Sequence, residues 1–144
     1  MNAKYASALR PADWSARLVD YIEQVRHIDF VWGENDCALM ASAWVEELIG
    51  HDPASDFRGR YTTEMGAIRA LKRYGTGTLL STFEGIVGPV CAPAQVRRGD
   101  IVGLVTEQGE ALGICVGAMA ATTGPTGFNL MRLLSAECGW KIGS

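Results

Sequence analysis

Cys37 stands where the polar run Trp32-Gly33-Glu34-Asn35-Asp36 gives way to Ala38-Leu39-Met40. Asn35 or Asp36 can cap a helix starting there by accepting backbone N–H bonds, which puts the thiol in the first helical turn. Unsatisfied N–H groups and the positive end of the helix dipole favour thiolate over thiol, so residue type and place together suit a nucleophile. The competing reading is a small apolar filler, because free cysteine is among the most buried residue types. Placement alone leaves both open.

A cysteine nucleophile also needs an imidazole within hydrogen-bond reach and a polar group to orient that imidazole. The chain has two histidines, His27 and His51. His51 follows the same expected helix, and at 1.5 Å per residue it lies roughly 20 Å from the thiol, too far to pair within one molecule. His27 precedes a loop that could fold back, which makes it a weak substitute base; a helix-end histidine more often caps or meets solvent.

Other polar residues read mainly as structural. Arg58, Arg60 and Tyr61 in "FRGRY" could contact a ligand, but an arginine that locks the loop, or pairs with Asp52 or Asp56, is the stronger reading. Asp100 in "RRGD" suits a turn before a strand better than a catalytic carboxylate. Trp32, Trp44 and Trp140 are core anchors or interface residues, and Cys115 is packing on a strand. Trp32, Asp36, Arg58 and Tyr61 are the candidate binding residues. Cys37, Cys91, Cys115 and Cys138 are scattered without a CxxC pair, so neither a metal site nor a disulfide framework is expected, and no cofactor.

The elements that must position these residues follow from periodicity. Pro11 opens an amphipathic helix to about Arg26, with Trp14, Leu18, Tyr21, Ile22 and Val25 on one stripe. A second helix runs from Asp36 to Ile49 and ends at Gly50, whose left-handed preference suits a helix stop. Helices are also expected from about Thr63 to Tyr74 and from Leu79 to Val87. After Pro89 come short β-prone runs, "DIVGLVT", "ALGICVGAM", "GFNLMRLL" and "GWKI". Helices followed by strands predict an α+β fold, N-terminal helices packed on a C-terminal antiparallel sheet.

The 144 residues suit one domain over 1–144, divided into an N-terminal helical extension (1–30), a helical part (31–90) and the sheet (91–144). A net charge of −3 offers no basic field for nucleic acid. No apolar run approaches the length of a membrane span, and the start lacks the apolar core of a signal peptide.

"WGENDCALMASAWV" and "RRGDIVGLVTEQGEALGICVG" together resemble the NlpC-type branch of the papain-like cysteine peptidases. In that family Asp-Cys opens the main helix, Gly-Asp precedes the first strand, and the next strand reads roughly His-Val-Gly-Ile-Tyr-x-Gly. Here that strand reads Ala111-Leu112-Gly113-Ile114-Cys115-Val116-Gly117. Phe30, Trp32-Gly33, Asp36-Cys37, Gly50, Asp52, Arg58-Gly59, Tyr61 and Gly139-Trp140-Lys141-Ile142 further resemble a family of small NlpC-like phage proteins associated with tail genes.

The resemblance implies a papain-like fold with Cys37 in the nucleophile position and Ala111 in the general-base slot, which is thereby vacant. "GAMAATTG", where the orienting group belongs, supplies no His, Asn or Gln. Glu110, beside the slot, should point to the opposite face of its strand. The implied role is a tail-tip or baseplate component, catalytically silent, binding the tail hub or other tail-tip proteins. Synthesis in the bacterial cytoplasm would precede incorporation into the virion tail. The alternative is an active hydrolase that cuts peptidoglycan peptide crosslinks during DNA entry, with Cys37 as nucleophile and a base from His27 or a partner chain.

Overall fold

The computed structural model describes residues 4–144. Five helices, α1 (Lys4–Ser7), α2 (Trp14–Val25), α3 (Cys37–Ile49), α4 (Glu64–Tyr74) and α5 (Leu79–Val87), precede five strands. These are β1 (Ile101–Thr106), β2 (Gly109–Cys115), β3 (Met119–Gly124), β4 (Gly127–Arg132) and β5 (Cys138–Trp140). They form one antiparallel sheet in the order β4-β3-β2-β1-β5. The fold is therefore α+β, helices first, as the order of patterns predicts. No helix among the described residues is long and apolar enough to cross a membrane.

Helix α3 has sharp ends because both caps are satisfied. Asp36 is extended (φ −106°, ψ 174°) and accepts the Leu39 N–H, while Gly50 is left-handed (φ 79°) and donates its N–H to the Glu46 carbonyl at 2.8 Å. Met40, Ala41, Trp44, Val45 and Leu48 of α3 then pack with Ile101, Leu112, Ile114 and Trp140 of the sheet. Tyr5, Leu18 and Val25 from the N-terminal helices join this same cluster. The Tyr21 hydroxyl donates to the Met40 carbonyl at 2.6 Å, tying α2 to α3.

The opposite face of the sheet is covered too. Val102, Leu104, Ala111, Cys115 and Ala120 pack beneath Leu133, which lies in a single 3₁₀ turn, Leu133–Ser135. Burial on both faces explains why β1 and β2 read as nearly unbroken apolar runs rather than alternating ones. Cys115, 1% exposed, is packing, as its strand context predicts.

Several boundaries differ from the expected ones. Helix α2 starts at Trp14 and not Pro11, because the Trp14 N–H bonds the Pro11 carbonyl in a preceding turn. The run "ALGICVGAM" divides between β2 and β3, where the Val116 N–H bonds the Met119 carbonyl and reverses the chain. The strand in "GFNLMRLL" stops at Arg132, and Leu133 folds over the sheet.

A buried ion pair joins the two chain ends to the first strand. Arg10 donates to Asp100 Oδ1 (2.8 Å), to the Ile142 carbonyl (2.9 Å) and to the Arg98 carbonyl (2.8 Å). Asp100 also accepts the N–H groups of Ile142 (2.8 Å) and Arg97 (2.9 Å). Asp100 thus does terminate a turn, and it also neutralises a guanidinium that sequence reading overlooks. Trp44 and Trp140 are core anchors whose indole N–H groups donate to the carbonyls of Gly99 and Gly88.

Candidate active site and its groove

Asp36 organises the approach to Cys37. Its carboxylate is 2% exposed and accepts three donors: the Leu39 N–H (3.0 Å), the Gly33 N–H (3.0 Å) and the Tyr61 hydroxyl (2.6 Å). Gly33 is required for this arrangement. Its φ is +82°, and a Cβ there would collide with the Tyr61 carbonyl. Burial first, then the Asp36 carboxylate, push the Tyr61 hydroxyl well above the ordinary phenol range, so it serves as a fixed donor. Asp36, next to the thiol in sequence, and Tyr61, 25 positions from Asp36, are thus joined in a structural lock at the helix start.

Replacing Asp36 by Ala removes a cap and leaves the Tyr61 hydroxyl without its acceptor. A cap contributes about 1 kcal/mol and a hydrogen bond to a charged group about 1.5–3 kcal/mol. Urea unfolding should show a loss of about 2–4 kcal/mol, with Asp36→Asn recovering the cap and sparing part of that loss. Equal losses in the two variants would contradict the capping role.

Cys37 lies in the first turn of α3, half-buried, and packs against the apolar cluster that contains Ala111. Although one side of the residue borders open space, burial of the sulfur pushes its pKa up to about 11. The Leu112 N–H and the first-turn N–H groups of Ala38 and Cys37 pull the other way, and the Asp36 carboxylate reinforces the rise. The helix terminus does favour the thiolate, as expected from its place, but desolvation outweighs it.

Two depressions meet at this thiol. One, of about 510 Å³, is bordered by Phe30, Trp32, Cys37, Ala111, Thr122 and Thr123 among others. The other, of about 460 Å³, runs toward α4 and α5 past Tyr61, Glu64, Ile68 and Leu79. Both share Trp32, Cys37, Gln108 and Glu110, so they form a groove with the thiol at its middle. Trp32 sits edge-on to Phe30, ring centroids 4.8 Å apart, and thus belongs to the groove and not to the core.

Ala111 occupies the groove wall beside Cys37, 6% exposed. No imidazole reaches this wall. His27 is exposed at the end of α2, its Nε2 3.1 Å from Glu23 Oε1, and it borders a neighbouring depression and not the Cys37 groove. His51 lies beyond the far end of α3, edge-on to Tyr5. Glu110 accepts the Leu80 N–H (3.0 Å) and so caps α5, whose own N-cap Thr78 makes no side-chain bond.

Arg58 does not reach the groove. It pairs with Asp52 through Nε (2.6 Å) and Nη2 (3.2 Å), the loop-locking role that its sequence context favours. Arg60 lies over the Tyr74 ring at 4.9 Å. Among the described residues no three His, Cys, Asp or Glu side chains gather to hold a metal ion, and the four cysteines are free thiols. Sequence reading missed Thr123 and Glu64, because only the folded sheet and α4 bring them to the groove.

The family model described as "Domain of unknown function (DUF6950)" matches residues 9–142. Comparison with curated proteins gives no match. Among solved structures the chain is similar to the NlpC/p60 domain of the peptidoglycan hydrolase SagA, with a TM-score of 0.57 and 13% identity. That likeness covers 90% of this chain and 98% of the other, and at such identity it is a likeness of fold.

Proposed function

This chain belongs to the DUF6950 family, and from its site we propose that it is a catalytically silent protein of NlpC/p60 ancestry that works by binding. The observation that carries the reading is the groove around Cys37, whose wall holds Ala111 and to which neither histidine of the chain contributes. Without an imidazole the groove offers only carboxylates, a poor match for a thiol, to take its proton or return it to a leaving amine. Burial compounds the deficit, since it holds the thiol protonated at neutral pH.

The proposed setting is a phage or prophage tail tip or baseplate, where the protein assists assembly or binds the hub after synthesis in the bacterial cytoplasm. The support is the ordered set of motifs from Phe30 to Ile142 that resembles small NlpC-like proteins of tail genes. The test is incubation of the purified protein with peptidoglycan and mass spectrometry of released fragments. The expected result is no release above a Cys37→Ala control. Release that the control abolishes would establish the hydrolase alternative, with peptidoglycan as substrate. Recovery of the protein only outside assembled particles would remove the tail assignment.

A further inference from the structure

A cavity of about 70 Å³ lies behind the groove, bounded by α3, α4, α5, the inner strand β2 and the loop that joins α3 to α4. Leu39, Phe57, Phe83 and Leu112, all buried, form its apolar interior. Ala38, Tyr61, Leu71 and Leu79 border both the cavity and the half of the groove that runs toward α4 and α5. All four are half-buried, so they form the mouth between the two. Neither Cys37 nor Ala111 belongs to the cavity wall.

Three side-chain hydroxyls stand on that wall. The Tyr61 hydroxyl donates to Asp36, and the Thr82 oxygen accepts the Thr76 N–H at 3.0 Å and lies 3.2 Å from Thr76 Oγ1. Ser42 differs. It is 2% exposed, shares a face of α3 with Ala38 and Leu39, and its hydroxyl has no hydrogen-bond partner among the described residues. Thr123 Oγ1 is the one unpartnered side-chain oxygen sealed among the described residues, so the Ser42 oxygen faces open space, which on this face of α3 is the cavity. An unmet hydroxyl in an apolar setting costs stability. Water is a poor remedy, because a buried water needs about two to four polar partners and the wall offers a single free hydroxyl.

The wall carries no charged side chain, which selects a neutral occupant. A cavity of about 150 Å³ takes benzene, so one of roughly half that volume suits about four carbons. We propose that this cavity binds a compact, neutral aliphatic ligand of about four carbons with one hydrogen-bonding atom, its body against Leu39, Phe57 and Phe83 and its polar atom on Ser42 Oγ. The inference goes beyond catalytic silence and holds whether or not Cys37 reacts, since occupancy makes and breaks no covalent bond.

The test is titration of the intact protein with isobutanol and with isobutane, followed by NMR through the methyl groups of Leu39, Leu71, Leu79 and Ile86. Isobutanol should shift these methyls with a dissociation constant of about 1 mM. The methyls of Val102 and Leu133, on the far face of the sheet, should stay still. Ser42→Ala, which removes only the hydroxyl oxygen, should weaken isobutanol binding about tenfold and leave isobutane binding unchanged. Ala67→Leu, which fills the cavity from α4, should abolish binding of both, and Ser42→Ala carries the test where that larger change prevents folding.

No shift at about tenfold higher isobutanol, equal shifts on both faces of the sheet, or isobutanol affinity unchanged in Ser42→Ala would overturn the proposal. Binding of N-acetyl-leucinamide without binding of isobutanol would make the cavity an anchor for a bare side chain of a peptide lying in the groove, and would equally overturn it.

Discussion

Replacing Arg10 by Met is expected to lower the unfolding free energy by about 3–5 kcal/mol, the range for a buried ion pair that loses one partner. The side chains of Arg10 and Asp100 are 1% and 2% exposed, so water cannot take over the charge left behind. Removing the guanidinium also orphans the carbonyls of Arg98 and Ile142, which bind the start of β1 and the C-terminal segment to the N-terminal turn. Arg10 further stacks at 4.5 Å from the Trp14 ring. Lysine carries the charge but cannot meet three acceptors in the planar geometry that Arg10 uses, so Arg10→Lys should fall between wild type and Met.

Urea unfolding with an unchanged m-value checks this. The double variant Arg10→Met/Asp100→Asn should lose less than the sum of its singles, because the second change removes the stranded carboxylate. A loss below about 1 kcal/mol in Arg10→Met would show that the pair behaves as a solvated surface bridge.

Alkylation of Cys37 by iodoacetamide at neutral pH is expected to be about 100-fold slower in the folded protein than in the urea-unfolded chain, from the rise of its pKa from 9.0 to about 11. The reactive species is the thiolate, and burial shifts its formation up to about pH 11. The same shift predicts the sign of a stability effect. The folded chain holds a proton that the unfolded chain releases, so this contribution is fully present below the ordinary thiol pKa and is lost as pH rises through about 11. Peptide mass spectrometry resolves the four thiols, and Cys91, Cys115 and Cys138, also shifted upward by burial, serve as comparisons. Fast alkylation of Cys37 alone near pH 7 would mean that a thiolate survives, and would return the hydrolase reading to the front.

Much of the scaffold was legible in the sequence because its signals are local. Asp36 and Gly50 mark the ends of α3, Thr63 and Gly75 those of α4, and a cap or glycine works through bonds within one turn of itself. The α+β order and the cysteine at the helix start followed from the same short-range patterns. The Arg58–Asp52 pair, six residues apart, was also within reach of sequence reading.

What only the tertiary structure decided depends on residues far apart in the chain. Arg10 meets Asp100 across 90 positions, and Thr123 and Glu64 reach one groove from a strand and a helix that share no pattern. The state of Cys37 belongs to this class as well. Its place at a helix terminus was visible in the sequence and argued for a thiolate, but the desolvation that outweighs the dipole comes from the surrounding fold, with the Leu112 N–H facing the sulfur from β2. The sequence by itself determined where the thiol sits along the chain. Burial, a sum over neighbours from the whole fold, decided that it stays protonated.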